Sequence, residues 1–280
     1  MQNSSLIFHK SFYNKKMKSI KILFIGDIVG KPGRRAVAGI VPDIKKEEKI
    51  DFVVANGENL ASGRGMTEGK YFEMINAGVD YFTSGNHILK NKDFLPCLDD
   101  PNYKVLRPAN YSDSVPGRGS KEIEIGDTKV VLANLQGRVF INEEIEDPFV
   151  IAKNITDYHK DSIIIIDFHA EATSEKIALA YYLDGKVSAV LGTHTHVQTA
   201  DERILPKGTA FISDVGMCGP EESVIGVQKE IIIEKFLTQM PLSHKVATGN
   251  SIFNAVIVEI DLVTKKAINI KRINRRFEIS

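Results

Sequence analysis

Short apolar runs alternate along the chain with longer segments in which apolar residues recur at helical spacing. The runs predict six β-strands, at residues 20–25, 52–55, 81–83, 130–134, 163–168 and 187–191. Strands that alternate with helices form βα units, so the pattern predicts an α/β fold built around a largely buried sheet.

Three of the remaining segments predict helices. Between the first two strands, apolar residues at positions 36, 37, 40, 41 and 44 form one helical face, and lysines follow where cations suit the helix dipole. We expect Pro42 to kink or split this helix, because proline lacks the backbone N–H that a helix interior needs. Segments 67–77 and 174–183 each begin with Thr or Ser and are followed by glycine, which is typical of helix ends.

The C-terminal part of the chain has a different pattern. Residues 252–260 and 267–273 flank a short polar segment and predict an antiparallel pair that extends or covers the main sheet. Segments 106–120 and 215–250 are rich in Gly, Pro, Ser and Asn, and we expect loops or a small cap there. Because the sequence has no internal repeat or flexible linker, we expect a single domain over residues 17–280.

Residues 1–16 precede the first predicted strand and contain no acidic residue. They lack the continuous apolar stretch of a signal peptide and the arginine content of a transit peptide. We therefore interpret them as an extension or a misassigned start that is not part of the core.

Composition narrows the class of protein. The 280 residues are 43% hydrophobic and 26% charged, which is typical of a globular protein with a sizeable core. The 36 basic residues balance the 36 acidic ones, so we do not expect stable binding to long nucleic acids or to an anionic membrane. Cys97 and Cys218 cannot form a disulfide framework, and no apolar run approaches the roughly 18 residues of a membrane span. We therefore expect a cytoplasmic protein.

Polar clusters follow five of the predicted strands. They are Gly26-Asp27, Gly57-Glu58-Asn59, Gly85-Asn86-His87, His169-Ala170-Glu171 and Gly192-Thr193-His194-Thr195-His196. Because ligands bind outside the carboxyl ends of the strands in open α/β sheets, we expect the clusters to converge. Residues two apart in an extended chain point to the same side, so His194 and His196 are expected to reach one cavity.

Together these side chains predict a metal centre. Taken singly, Asp27 or Asn86 would suit a turn and His169 a hydrogen-bonded core position, so the interpretation depends on the combination. Imidazole, carboxylate and amide oxygen suit Mn, Fe or Zn better than Mg alone. Two carboxylates and three histidines exceed the usual ligand set of one catalytic ion, which indicates two ions and a bridging carboxylate. Such a pair holds phosphoryl oxygens and converts a shared water into hydroxide for in-line attack on phosphorus, so we expect phosphate esters as substrates.

The motifs resemble those of the calcineurin-like dinuclear metallophosphoesterases, and more narrowly those of the YmdB-like family. They are Gly26-Asp27-Ile28-Val29-Gly30, Asn56-Gly57-Glu58-Asn59, Gly85-Asn86-His87, Asp167-Phe168-His169-Ala170-Glu171 and Gly192-Thr193-His194-Thr195-His196. The resemblance extends from about residue 21 through the remaining chain. It implies a layered sandwich of mixed β-sheet flanked by helices.

The resemblance also implies a role for each site residue. One metal ion would be bound by Asp27, Glu58 and His196, and a second by Glu58, Asn86, His169 and His194, with Glu58 bridging. Iron or manganese is expected, with zinc as an alternative. His87 would be the general acid beside the leaving-group oxygen rather than a ligand.

Two positions depart from the pattern of the broad superfamily. A histidine commonly lies two residues after the first aspartate, where this chain has Val29. Asn59 or water would then complete the ligands of the first ion. The usual bridging aspartate is replaced by Glu58, as in the narrower family.

Three hypotheses about function follow. The first is a phosphodiesterase of small nucleotides, for which the YmdB-like resemblance implies 2′,3′-cyclic substrates such as 2′,3′-cAMP. The second keeps the two ions but changes the substrate to phosphomonoesters or phosphoproteins. The third is a regulatory protein of RNA turnover in which catalysis is secondary.

Sheet edges are compatible with a homo-oligomer. We interpret the basic residues Lys31, Arg34, Arg35, Lys271, Arg272, Arg275 and Arg276 as surface rather than binding sites.

Overall fold

Two mixed β-sheets pack face to face, and helices cover their outer faces. The computed structural model describes residues 19–278, so the N-terminal extension expected at residues 1–16 lies outside the described residues. The strands are β1 (Ser19–Ile25), β2 (Asp27–Ile28), β3 (Phe52–Asn56), β4 (Tyr81–Thr83), β5 (Ser120–Ile125), β6 (Thr128–Gln136), β7 (Ile163–His169), β8 (Ala189–Thr193), β9 (Arg203–Ile204), β10 (Ala210–Ile212), β11 (Met217–Pro220), β12 (Ser251–Asp261) and β13 (Ala267–Phe277). The helices are α1 (Gly30–Glu48), α2 (Glu68–Asn76), α3 (Leu95–Asp99), α4 (Pro148–Tyr158), α5 (Thr173–Leu183) and α6 (Lys229–Thr238).

Both sheets are mixed, and each contains a set of parallel strands. The first sheet has the order β2-β11-β12-β1-β3-β4, with β13 also paired to β12, and the second has the order β5-β6-β7-β8-β10-β9. Strands β1, β3 and β4 run parallel, as do β6, β7, β8 and β10. The predicted C-terminal pair is confirmed as antiparallel β12 and β13, and β12 extends the first sheet by pairing with β1.

The central strands of each sheet are buried on both faces, and their successive side chains point to opposite sides. In β1, Phe24 packs between the two sheets, whereas Leu23 packs with the apolar face of α1. In β7, Ile165 packs between the sheets, whereas Ile164 packs with α5. The result is four layers, with helices on the outside and the two sheets between them, as the predicted layered α/β fold requires.

Helix α1 is continuous, so the expectation that Pro42 splits it is wrong. Pro42 and Ala38, whose carbonyl loses its usual helical partner at Pro42, both lie on the exposed side. Water can reach that carbonyl, while Val37, Val41 and Ile44 on the opposite side are buried against the sheet. Packing of the apolar face therefore outweighs the local cost of the proline.

The segments expected to be irregular divide into two kinds. Residues 106–119 contain neither helix nor strand, whereas segment 215–250 contains β11 and α6. The two-residue β9 and three-residue β10 were not predicted, because such short strands show no periodicity. Within residues 19–278, no helix has the length and apolar character needed to cross a bilayer.

Candidate metal centre

The five polar clusters meet at one edge of the structure, where the parallel strands of both sheets end. Asp27 follows β1, Glu58 follows β3, and Asn86 follows β4, all in the first sheet. His169 ends β7 and His194 follows β8, both in the second sheet. The expected convergence is therefore present, and both sheets contribute to it.

Two groups of candidate ligand atoms share the carboxylate of Glu58. The first comprises Asp27, Glu58 and His196, and the second comprises Glu58, His169 and His194; within each group the ligand atoms lie within 4.8 Å of one another. The carboxylates of Asp27 and Glu58 and the ring of His169 are almost fully buried. An arrangement of two donor groups around one shared carboxylate can hold a pair of cations.

The Glu58 carboxylate is surrounded by hydrogen-bond donors. His169 Nε2 lies 3.0 Å from Glu58 Oε2, and Asn59 Nδ2 donates to Glu58 Oε1 at 2.8 Å. Burial opposes ionisation of this carboxyl, but the neighbouring His169 and His87 outweigh it and hold the pKa of Glu58 well below its usual range. Glu58 is therefore an anion at neutral pH, as a ligand shared by two cations must be.

The two inner histidines differ in charge. Burial lowers the pKa of His169, but Glu58 outweighs that effect and raises it to about 9. His194 Nδ1 lies 3.0 Å from His169 Nε2, and burial together with the charge of His169 lowers the pKa of His194 to about 3. His169 Nε2, Glu58 Oε2 and His194 Nδ1 lie close enough together for a single cation to be bound by all three side chains.

Among the buried oxygens that have no hydrogen-bond partner in the part of the chain that the structure describes, two belong to candidate ligands. They are Asp27 Oδ1 and Asn86 Oδ1. Asp27 Oδ1 lies 4.0 Å from His196 Nε2 and 3.9 Å from His169 Nδ1. Buried polar atoms are normally satisfied, so orphaned oxygens beside a cluster of imidazoles are consistent with cation ligands. This donor set of carboxylate, amide oxygen and imidazole fits transition metals.

The ring of His169 is oriented by a chain of hydrogen bonds. Its Nδ1 lies 2.8 Å from Thr193 Oγ1, and the hydroxyl of Thr193 donates to Asp167 Oδ1 at 2.7 Å. Asn56 Nδ2 also donates to the Asp167 carboxylate, at 2.9 Å. Burial raises the pKa of Asp167 to about 7. Because Thr193 gives its proton to Asp167, it accepts one from His169 Nδ1, which leaves Nε2 to face the centre.

The loop that carries His194 and His196 is held in an unusual backbone conformation. Both histidines have positive φ, at 101° and 67°. The backbone N–H and hydroxyl of Thr195 donate to Asp214 Oδ2, which also forms a buried ion pair with Lys176 at 2.8 Å. Conformations of this kind persist only when their surroundings over-determine them, and this ion pair supplies part of that support.

Gly85, which follows β4, lets the side chains of two candidate ligands lie directly against its backbone. A Cβ atom at this position would lie 2.2 Å from the ring of His169 and 2.3 Å from Glu58 Oε2. Only glycine leaves room for both side chains here, which explains the Gly85-Asn86-His87 motif in steric terms.

His87 lies at the rim of the centre with its side chain 27% exposed. Its Nδ1 is 2.9 Å from Asn59 Oδ1 and 3.4 Å from Glu58 Oε1. Because both neighbours accept hydrogen bonds, they fix the proton on Nδ1 and leave Nε2 directed away from them. Asn59, expected together with water as an alternative ligand of the first ion, has its oxygen beside His87 and its Nδ2 beside Glu58 and His196.

Comparison with known proteins gives the family. Residues 23–273 match the family described as YmdB-like protein. The chain belongs to the YmdB-like family. It is 47% identical to a 2′,3′-cyclic-nucleotide 2′-phosphodiesterase of Bacillus subtilis strain 168, over 91% of this chain and 96% of the relative.

Two solved structures share the fold of this YmdB-like chain. A novel phosphatase from Mycoplasma pneumoniae has a TM-score of 0.89 and 36% identity, covering 94% of this chain and 95% of its own. A hypothetical protein from Thermus thermophilus has a TM-score of 0.86 and 39% identity, covering 92% of this chain and 99% of its own. The family and the metallophosphoesterase-type fold predicted from the motifs are confirmed, and the chain is a phosphoesterase enzyme.

Several residues that support the YmdB-like site were missed by the sequence analysis. They are Asn56, Asp167, Thr193, Lys176 and Asp214, which orient the ligand candidates, and Glu171, whose Oε2 lies 3.2 Å from His194 Nε2. Four of them lie inside the five sequence motifs, which could have indicated their role in the site; they are Asn56, Asp167, Thr193 and Glu171. Lys176 and Asp214 carried no such signal.

The basic residues set aside as surface take different roles. Arg34 is buried rather than solvated, because it donates to the Leu60 carbonyl at 2.7 Å and pairs with Glu73 at 2.8 Å. Four basic residues of β13 each form an ion pair with a glutamate; they are Lys271, Arg272, Arg275 and Arg276. Their neutralised charge gives no free basic patch on this strand.

Proposed function

We propose that this YmdB-like chain hydrolyses 2′,3′-cyclic nucleotides with the help of two transition-metal ions. The observation that carries the proposal is the pair of donor groups that share Glu58, because a dinuclear centre is suited to phosphoryl chemistry. The cyclic-nucleotide phosphodiesterase of Bacillus subtilis, 47% identical over 91% of this chain, supports the substrate class.

The proposed ligands are the six side chains at the strand ends. Asp27, Glu58 and His196 would hold one ion, and Glu58, Asn86, His169 and His194 the other. Iron or manganese suits this nitrogen and oxygen set, and zinc is the alternative. When bound, the two ions would supply the charge that holds the phosphoryl oxygens and makes water acidic enough to attack phosphorus.

His87 is the proposed general acid. Cleavage of the cyclic ester leaves a sugar alkoxide, which is far more basic than water at neutral pH and must be protonated as the P–O bond breaks. Because Asn59 Oδ1 and Glu58 Oε1 hold the proton on His87 Nδ1, the proton for the leaving oxygen comes from Nε2. We therefore propose that Asn59 orients His87. In this proposal it does not take the place of the histidine ligand that the broad superfamily has at the position of Val29.

The chain of hydrogen bonds behind His169 makes Thr193 a second site for mutation. Thr193→Val keeps the shape of the side chain but removes the acceptor for His169 Nδ1 and one of the donors to Asp167. We expect metal affinity to fall by about 10- to 100-fold, as it does when such supporting groups are lost. Calorimetric titration of the metal-free protein measures this change.

Thr193→Ser is the matched control, because it keeps the hydroxyl. Its metal affinity should lie within a few-fold of the parent protein. Equal loss in the serine and valine variants would mean that keeping the hydroxyl does not preserve the site, and it would contradict the role given to this hydrogen bond.

A panel of esters tests the proposed function directly. Protein loaded with iron or manganese is assayed on 2′,3′-cAMP, on linear dinucleotides, and on nucleoside monophosphates and phosphopeptides. We expect the cyclic ester to have the highest kcat/KM. Faster hydrolysis of monoesters would overturn the proposal and favour a phosphatase on the same dinuclear site.

A further inference from the structure

A cavity of about 840 Å³ opens beside the candidate metal centre. Asn59, His87 and His196 line the end that borders the centre. The volume lies in the range of small-molecule pockets, and it exceeds what a phosphate group alone requires. The cavity therefore has room for the rest of a substrate whose ester reaches His87.

The far wall of the cavity is apolar and belongs to the cap segment, which we define as residues 221–250. Ile232 and Phe236 from α6 contribute to this wall, together with Ile225, Leu242 and Val246. Phe236 is 78% exposed although it borders the cavity. An aromatic ring exposed at the edge of a ligand pocket is suited to stacking on a planar group.

The cap segment is fixed to the centre by hydrogen bonds. His196 Nδ1 donates to the Ile225 carbonyl at 2.9 Å, and Val224 and Val227 exchange backbone hydrogen bonds. Ile225 has a φ of 46°, which is rare for a β-branched residue. A strained backbone conformation persists only when its surroundings support it. The hydrogen bonds around Ile225 therefore fix the position of the apolar wall relative to His196.

The charge of the cavity suits an anion. None of the described residues that line it is acidic, and Arg64 lies on its lining. A smaller cavity of about 240 Å³ borders the same centre at Asn86, but Glu143 and Glu144 line it and outnumber Lys90, the one basic residue that the described part of its lining contains. An anionic ester is repelled from the acidic cavity and attracted to the one beneath the cap.

We propose that the cavity beneath the cap segment is the nucleobase subsite, and that the ring of Phe236 stacks on the base while the ester lies at His87. This inference rests on the proposed function, because it names where the remainder of a cyclic nucleotide binds. Phe236 is a specificity-determining residue in this scheme, since stacking depends on the base and not on the ester.

The test compares an ester that has a base with one that does not. The substrates are 2′,3′-cAMP and ribose 2′,3′-cyclic phosphate, and the variants are Phe236→Ala and Phe236→Trp. We expect Phe236→Ala to raise the KM for 2′,3′-cAMP by about 5- to 150-fold with little change in kcat, since loss of a stacking partner weakens base binding by this order. The preference for the nucleotide over the base-free ester should fall by the same factor, and Phe236→Trp should restore it.

Leu237→Ala is the matched control. Leu237 is 80% exposed on the same helix and is not among the described residues that line the cavity. An unchanged preference in Phe236→Ala, or an equal change in Leu237→Ala, would overturn the base subsite.

A binding measurement separates this inference from the proposed function. Adenosine 3′-phosphate is titrated into the metal-loaded parent protein and into Phe236→Ala by calorimetry. Weaker binding in the variant supports the subsite even if another ester is the better substrate. Equal binding rejects the subsite even if 2′,3′-cAMP is hydrolysed.

Discussion

His87→Ala is expected to lower the kcat/KM for a 2′,3′-cyclic nucleotide by about 10²- to 10⁴-fold, the usual contribution of a positioned general acid. The metal content should stay the same, because His87 Nδ1 faces Asn59 and Glu58 Oε1 and belongs to neither group of candidate ligands. The rate constants and elemental analysis of the same preparation measure both quantities.

A change of leaving group makes this prediction specific. A p-nitrophenyl phosphodiester releases p-nitrophenolate, a weakly basic anion that needs little proton transfer. Hydrolysis of this ester should therefore fall less than tenfold in the variant. His159→Ala at the end of α4 controls for loss of an imidazole elsewhere. If both esters lost activity equally, His87 would act in binding and not as an acid.

Glu58→Gln is expected to weaken metal binding by roughly 10²- to 10⁴-fold and to abolish most activity. The substitution keeps the size of the side chain but removes the charge that both donor groups share. Removing one charged partner from a buried cluster typically costs about 3–5 kcal/mol, which corresponds to this range. Dialysis followed by elemental analysis reports the loss of bound ions.

Glu171→Gln provides the matched control for that substitution. Glu171 Oε2 lies 3.2 Å from His194 Nε2, but its side chain is 48% exposed and lies outside both donor groups. Its metal affinity should change less than tenfold. A similar loss in both variants would point to general electrostatics around His194 instead of a shared ligand.

The convergence of the site was predictable from the sequence because it follows from strand direction. β1, β3, β4, β7 and β8 were all predicted, and parallel strands end at a common edge, so side chains as distant in sequence as Glu58 and His169 come within 3.0 Å. Gly85 belonged to a recognised motif, although its steric reason required coordinates.

The features that sequence analysis missed depend on partners from other segments. Apolar periodicity does not tell which strands share a sheet, so the division of the strands between two sheets was not predicted. The support from Lys176 and Asp214, and the Ile225 carbonyl that accepts from His196, depend on contacts between distant segments. The expectation that Pro42 splits α1 was wrong because the local cost of the proline was weighed without the packing of the helix.

The metal content of the purified chain tests the central claim most directly. Protein prepared without added metal is analysed for iron, manganese and zinc, and the metal-free form is then titrated with each. The account predicts about two equivalents per chain, bound by two donor sets that share Glu58. A single equivalent that saturates both binding and activity would contradict it.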